Sequence, residues 1–149
     1  MSIRIENATL DELEILYTIE RECFTLEAFS KKQLISLLQS PHSISLLAKM
    51  NGEIVGFIIA LTYKRKDEKV GHIYTLDIAK KARRKGLGFK LIECLEQVLR
   101  EKGVKLCLLE TGINNVAARE LYRKLGYVEI KLVKNFYPQG DAVRLQKVL

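Results

Sequence analysis

Residue types that build easily recognised sites are scarce in this 149-residue chain, which has three cysteines, two histidines and no tryptophan. Cys23, Cys94 and Cys107 are odd in number, far apart and set among apolar neighbours, so they read as buried reduced thiols and exclude a disulfide framework. His42 and His72 have no Cys or His at ligand spacing, so no metal site is expected. Aromatic residues make up 7% of the chain, and none alternates with basic residues as a stacking platform for single strands requires. The longest apolar stretch, Ile54 to Leu61, is interrupted by a glycine and falls far short of the roughly 20 residues of a membrane span. The start, MSIRIENATL, lacks the apolar segment of a secretory signal. A soluble cytoplasmic protein is expected, without a membrane partner.

What is present fits one domain spanning residues 1–149, with 48% hydrophobic and 29% charged residues and no repeat or low-complexity tract. A net charge of +7 suits an anionic partner, yet it is also common on proteins that bind no polymer. Ile3 and Ile5 alternate with polar residues as in a strand. Thr9 to Glu12 and Ser30 to Gln33 are capping boxes, each followed by apolar residues at helical spacing. SISLLAKM, Asn51-Gly52 and EIVGFIIAL then form a hairpin with a type I′ turn. The charged loop KRKDEK, residues 64 to 69, leads to a third long strand, GHIYTLDIA. Leu91, Ile92, Leu95, Val98 and Leu99 share one helix face that closes at Gly103. VKLCLLE is a buried strand, Asn114 or Asn115 caps a last helix, and two strands flank the turn Tyr137 to Gly140. This order predicts a mixed α/β sheet with helices on its faces.

The stretch KKARRKGLG, residues 80 to 88, joins a strand to a helix. There the amides lack intrahelical partners, glycines let an anion approach closely, and the helix dipole favours negative charge, so a pyrophosphate fits. An ordinary loop has the same composition, and the segment is neither a Walker A loop nor a dinucleotide fingerprint.

Arg83-x-x-Gly86-x-Gly88 resembles the Arg/Gln-x-x-Gly-x-Gly/Ala signature of the GNAT superfamily of acetyl-CoA-dependent N-acetyltransferases. The likeness covers nearly the whole chain. It is closest to the RimI-type protein N-terminal acetyltransferases through IERECF, LETGINNVAARELYRKLGY and NFYPQGDA. The resemblance implies a GNAT fold, with a mostly antiparallel central sheet of about seven strands and four helices. It also implies acetyl-CoA as co-substrate. The amides of Arg84, Lys85, Gly86, Leu87, Gly88 and Phe89 would hold the pyrophosphate, with charge from Arg83, Arg84 and Lys85. The main chain of Leu76, Asp77 and Ile78 would pair with the pantetheine arm, and Asn115 would bond the cofactor beyond the thioester.

Acetyl transfer to an amine needs a free lone pair, an oxyanion donor and an acid for the leaving thiolate. Glu110 ends the apolar run Leu106 to Leu109, and Tyr122 follows in the next helix. A polar strand end and a core aromatic are their bland readings. By the resemblance, Glu110 is the general base, directly or through water, Tyr122 the general acid, and an amide near Ile78 the oxyanion donor. Phe29 and Tyr137 would line the acceptor groove, although CFTLEAFS lacks the family's proline and tryptophan, and Asp77 replaces a small apolar residue. His72 reads as a partly exposed strand residue rather than a base. An α-amine is about a tenth neutral at pH 7 and a lysine well under a thousandth, a gap of roughly 3.5 kcal/mol, which favours an N-terminal acceptor. The expected partner is a protein or peptide N-terminus, a ribosomal protein among them, for a monomer or homodimer that requires no nucleic acid. The alternatives are a small-molecule amine or lysine acetyltransferase and, in another class, a nucleic-acid or ribosome-binding module.

Overall fold

The computed structural model describes residues 2–24 and 27–149; Thr25 and Leu26 of the CFTLEAFS stretch lie outside the described residues. The elements are β1 (Ile3–Asn7), α1 (Leu13–Cys23), α2 (Lys31–Gln39), β2 (Ser43–Met50), β3 (Glu53–Arg65), β4 (Glu68–Ile78), α3 (Leu87–Glu101), β5 (Leu106–Gly112), α4 (Val116–Lys124), β6 (Val128–Tyr137) and β7 (Gly140–Val148). The strands form one sheet in the order β1-β2-β3-β4-β5-β7-β6. Every pairing is antiparallel except β4 with β5.

Local chemistry sets the element ends. Both capping boxes form, Ser30 Oγ accepting the Gln33 amide at 3.1 Å and Thr9 Oγ1 the Asp11 amide at 3.2 Å, although the first opens a 3-10 turn that runs on into α1. Asn51 and Gly52 have φ of 52° and 84°, the two left-handed residues of a type I′ turn. The expected loop over residues 64 to 69 is instead a tight hairpin, with Lys64 opposite Lys69 and Arg65 opposite Glu68. Ladder pairing needs only backbone groups, and the charged side chains stay in water at the hairpin tip. Two of the three cysteines are only half-buried, Cys23 and Cys94, while Cys107 is buried; all three are free.

The core lies in two layers. Leu16 and Ile19 of α1 and Leu34 and Leu37 of α2 cover Leu47, Phe57 and Ile59. On the other face Leu91, Leu95 and Leu99 of α3 cover Ile58, Ile73 and Leu109. Phe57, Ile58, Ile59 and Ala60 are all 0% exposed, because β3 is buried on both faces, and so its sequence is a continuous apolar run rather than an alternation.

One irregularity positions the site. β4 and β5 pair only from Val70 with Leu106 to Ile73 with Leu109, although they continue to Ile78 and Gly112. The parallel strands therefore part at their carboxyl ends. Tyr74 is an extra residue against β3, where Ala60 pairs Ile73 and Ile59 pairs Thr75. Such a bulge bends its strand. It leaves His72, Thr75 and Asp77 opposite Leu61, Ile59 and Phe57, on the face covered by α1 and α2.

Candidate active site

Glu110 lies on β5 just past buried Leu109, and its side chain is 5% exposed. Register places Arg144 of β7 directly opposite, and its Nε donates to Glu110 Oε2 at 2.6 Å. His72 Nε2 lies 2.7 Å from Glu110 Oε1. Burial pushes the Glu110 carboxyl up, but the hydrogen bonds and charges of His72 and Arg144 outweigh it and hold the group below its ordinary value. Glu110 is therefore ionised at neutral pH and can only accept. The hydrogen between the two groups belongs to His72 Nε2, and Nδ1 is left as the acceptor of the neutral ring. His72 is a partly exposed strand residue, as expected, with 22% of its side chain accessible, and it is also the group through which Glu110 reaches solvent.

Both residues line a cavity of about 620 Å³ that also takes in Phe24, Phe29, Tyr137 and Arg144. The expected groove residues Phe29 and Tyr137 are thus brought to Glu110. Burial, with the Glu110 and Glu27 carboxylates nearby, pushes the Tyr137 phenol up to about 12. Arg144 was not foreseen, since it stands 34 residues from Glu110 and only strand register joins them. A period-two reading of the last strand, with Arg144 between buried Val143 and Leu145, is the signal that points to it.

No hydrogen bond joins Tyr122 to Glu110, and the Tyr122 phenol lies within reach of the charges of Asp77 and Tyr137. It is 5% exposed and packs with the α3 layer, its ring edge-on to Tyr127 at 5.5 Å, and burial raises its phenol well above the ordinary value. Among the described residues its hydroxyl has no hydrogen-bond partner.

The glycine segment forms a bare helix start. Gly86 has φ of 77°, and a Cβ there would meet nothing within 4 Å. No side chain caps α3, whose first internal bond runs from the Lys90 amide to the Gly86 carbonyl at 3.1 Å. The amides of Leu87, Gly88 and Phe89 are left for an anion at the positive end of a 15-residue helix. Gly88 has a different reason from the expected one, because a Cβ would lie 3.3 Å from Leu121 Cδ2, so its small size serves the packing of α3 on α4. The Leu87 side chain is buried and the Phe89 ring points to another groove, beside Glu93 and Gln97, so these two offer amides only. Arg83 is engaged elsewhere, its Nε donating to the Ile78 carbonyl at 3.1 Å, while Arg84 and Lys85 remain exposed. Asn115 spends Oδ1 on the Ala118 amide at 3.1 Å as the cap of α4, which leaves its NH₂ for a ligand. Leu76 and Ile78 face this side of the parted strands, within 4.0 Å of the Gly88 Cβ position, and Asp77 faces the other. Among the described residues no cluster suits a metal ion, and no helix is long and apolar enough to cross a membrane.

Comparison with known proteins shows the family and the fold. The N-alpha-acetyltransferase of Sulfurisphaera tokodaii is 26% identical over 147 residues, covering 93% of this chain and 87% of that protein. The crystal structure of the ribosomal-protein-S18-alanine N-acetyltransferase from Escherichia coli superposes with a TM-score of 0.87 and 26% identity, over 99% of this chain and 94% of that one. Arabidopsis thaliana NAA60, solved in complex with acetyl-CoA, shares the fold at a TM-score of 0.88 and 17% identity, over 99% and 100% of the two chains. The model of the acetyltransferase (GNAT) family matches residues 13–127, and the chain belongs to that family.

Proposed function

We propose that this enzyme transfers the acetyl group of acetyl-CoA to the α-amine of a polypeptide N-terminus, a ribosomal protein being one candidate. One observation carries the reading: β4 and β5 part between a bare helix start on one face and a carboxylate–imidazole pair on the other. Acetyl-CoA supplies an activated acyl group whose leaving thiol is a weak base. The residues present fit it, since the Gly86 cradle is open where a Cβ would stand and three unpaired amides face that space, with Arg84 and Lys85 beside them.

The chain's own groups divide the work. His72 Nδ1 takes the proton of the acceptor ammonium, and Glu110 holds the ring in the Nε2–H form and stabilises the imidazolium that results. Arg144 keeps Glu110 ionised, so that the carboxylate orients rather than removes the proton itself. Tyr122, whose raised phenol stays protonated, donates a hydrogen bond towards the departing sulfur. A main-chain amide near Ile78 serves the developing oxyanion. The cavity on the acceptor side has room for more than the reacting nitrogen, which favours a peptide over a small amine.

A peptide carrying both a free α-amine and an internal lysine, incubated with acetyl-CoA, tests the acceptor. Mass spectrometry is expected to place the acetyl group on the α-amine, and faster lysine modification overturns the assignment. Glu110→Gln is expected to lower kcat by about 10²- to 10⁴-fold with acetyl-CoA affinity kept. Unchanged turnover removes Glu110 from the mechanism.

A further inference from the structure

Glu20 of α1 is a buried carboxyl group with no cation beside it among the described residues. It is 1% exposed, lines the acceptor cavity, and takes part in no ion pair among the described residues. Its hydrogen bonds come from neutral donors, the Phe29 amide to Oε2 at 3.0 Å and the Thr75 hydroxyl to Oε1 at 2.9 Å. A carboxylate offers about four acceptor positions, so half of them are unused. Buried carboxylates are normally paired with a cation; of the two other acids that line this cavity, Glu110 has Arg144, and Glu27 is only partly buried.

Behind Glu20 stands a second carboxyl. Thr75 Oγ1 also lies 2.5 Å from Asp77 Oδ1, and Asp77 is 1% exposed with no partner for Oδ2. A hydroxyl has one hydrogen, so it cannot donate to both acids. For both contacts to be hydrogen bonds, one carboxyl must donate to Thr75. Asp77 is assigned as that donor, through Oδ1, because Glu20 already accepts the Phe29 amide whereas no backbone amide among the described residues donates to Asp77. Burial and the Glu20 carboxylate also hold the Asp77 group well above the carboxylate range. The chain of hydrogens therefore runs from Asp77 through Thr75 to Glu20, and the one negative charge is presented at the cavity wall.

We propose that Glu20 is the ammonium subsite of the acceptor cavity, taking the positive charge with which a polypeptide N-terminus arrives, with Thr75 and Asp77 as its positioning residues. The inference rests on the acceptor class given above. It assigns the docking of the cation to Glu20 and the later removal of its proton to His72, two groups that line the same space. It also gives Asp77 a reason in a strand position where a small apolar side chain would be simpler: a proton-bearing acid fixes the Thr75 hydroxyl in one direction.

Steady-state kinetics with an N-terminal peptide test it. Glu20→Gln is expected to raise the acceptor KM by about 10- to 100-fold, the worth of a charge-assisted hydrogen bond, with kcat and the acetyl-CoA KM little changed. A desamino analogue of the peptide, in which hydrogen replaces the α-amine, serves as a competitive inhibitor. Relative to the amine peptide it should bind weakly to the wild type and without that penalty to Glu20→Gln, a difference that mere misfolding does not produce. Thr75→Val, which removes the hydroxyl that donates to Glu20, should follow Glu20→Gln. Wild-type turnover with an unchanged acceptor KM in Glu20→Gln, or an equal desamino penalty in both proteins, overturns this inference alone. A wild-type enzyme that acetylates no amine overturns the function reading, and this inference with it.

Discussion

Glu110 faces Arg144 and His72, whereas Asp77 faces Thr75 and a second carboxylate, Glu20, and the two acids titrate in opposite directions for that reason. The folded-state value of Glu110 is depressed. Its stabilising contribution is present above the ordinary carboxylate value of about 4.3 and is lost as pH falls through the folded value. For Asp77 the folded value is raised, so the folded protein holds a proton that the unfolded chain releases above about pH 3.9. Stability from this group falls as pH rises from there to the folded value. Asp77→Asn removes the titration while keeping a donor to Thr75. Thermal unfolding followed between about pH 5 and 8 is expected to show the variant gaining on wild type as pH rises. Parallel curves would mean that Asp77 is ionised in the folded protein.

Between elements, the tie that holds α3 to the last two strands is a buried acid of the ordinary paired kind. Glu96 is 2% exposed and accepts from the Tyr127 hydroxyl at 2.8 Å and Lys147 Nζ at 2.9 Å. Glu96→Ala leaves the Tyr127 phenol without its acceptor and the partly exposed Lys147 ammonium without its carboxylate, a loss of about 1–3 kcal/mol. Chemical denaturation should show it, and turnover well below the transition should not change, because the cluster lies away from the acceptor cavity. The same distinction explains what the sequence discloses. Both capping boxes, the Asn51-Gly52 turn, the apolar face of α3 and the bare helix start after Gly86 are written within a few neighbouring residues, and each forms. The Tyr74 bulge, the tight turn at Lys66 and Asp67, and the partners of Glu110 depend on register between strands. His72 and Arg144 stand 38 and 34 residues from Glu110, and no local pattern carries that pairing. Family likeness located Glu110, but its surroundings, which decide whether it acts as a base or orients one, come only from the fold.

For the whole molecule, exposed cations gather at both ends of β4. The basic run before α3 is partly spent: Lys81 pairs with Glu53, and Arg83 turns to the Ile78 carbonyl, leaving Lys80, Arg84 and Lys85 exposed. At the opposite ends of β4 and β5, an open groove of about 920 Å³ gathers Lys64, Arg65, Lys66, Lys69 and Lys105, offset by Asp67 and Glu68. Neither end offers aromatic rings interleaved with the cations, as recognition of single strands requires. Binding to nucleic acid is thus expected to be of the counterion-release kind, falling steeply between about 50 and 200 mM salt. In the proposed site acetyl-CoA would rest on amides fixed by α3 and on the parted strands, contacts that release few counterions, so its affinity should fall far less over the same range. Gly86→Asp separates the two modes, since it sets a carboxylate against the anion seat in a left-handed backbone position but removes no cation. Calorimetry is expected to find acetyl-CoA binding abolished in that variant while its weak, salt-sensitive association with nucleic acid persists. If both are lost together, the helix start is serving a polymer, and the acyl-transfer reading of this junction fails.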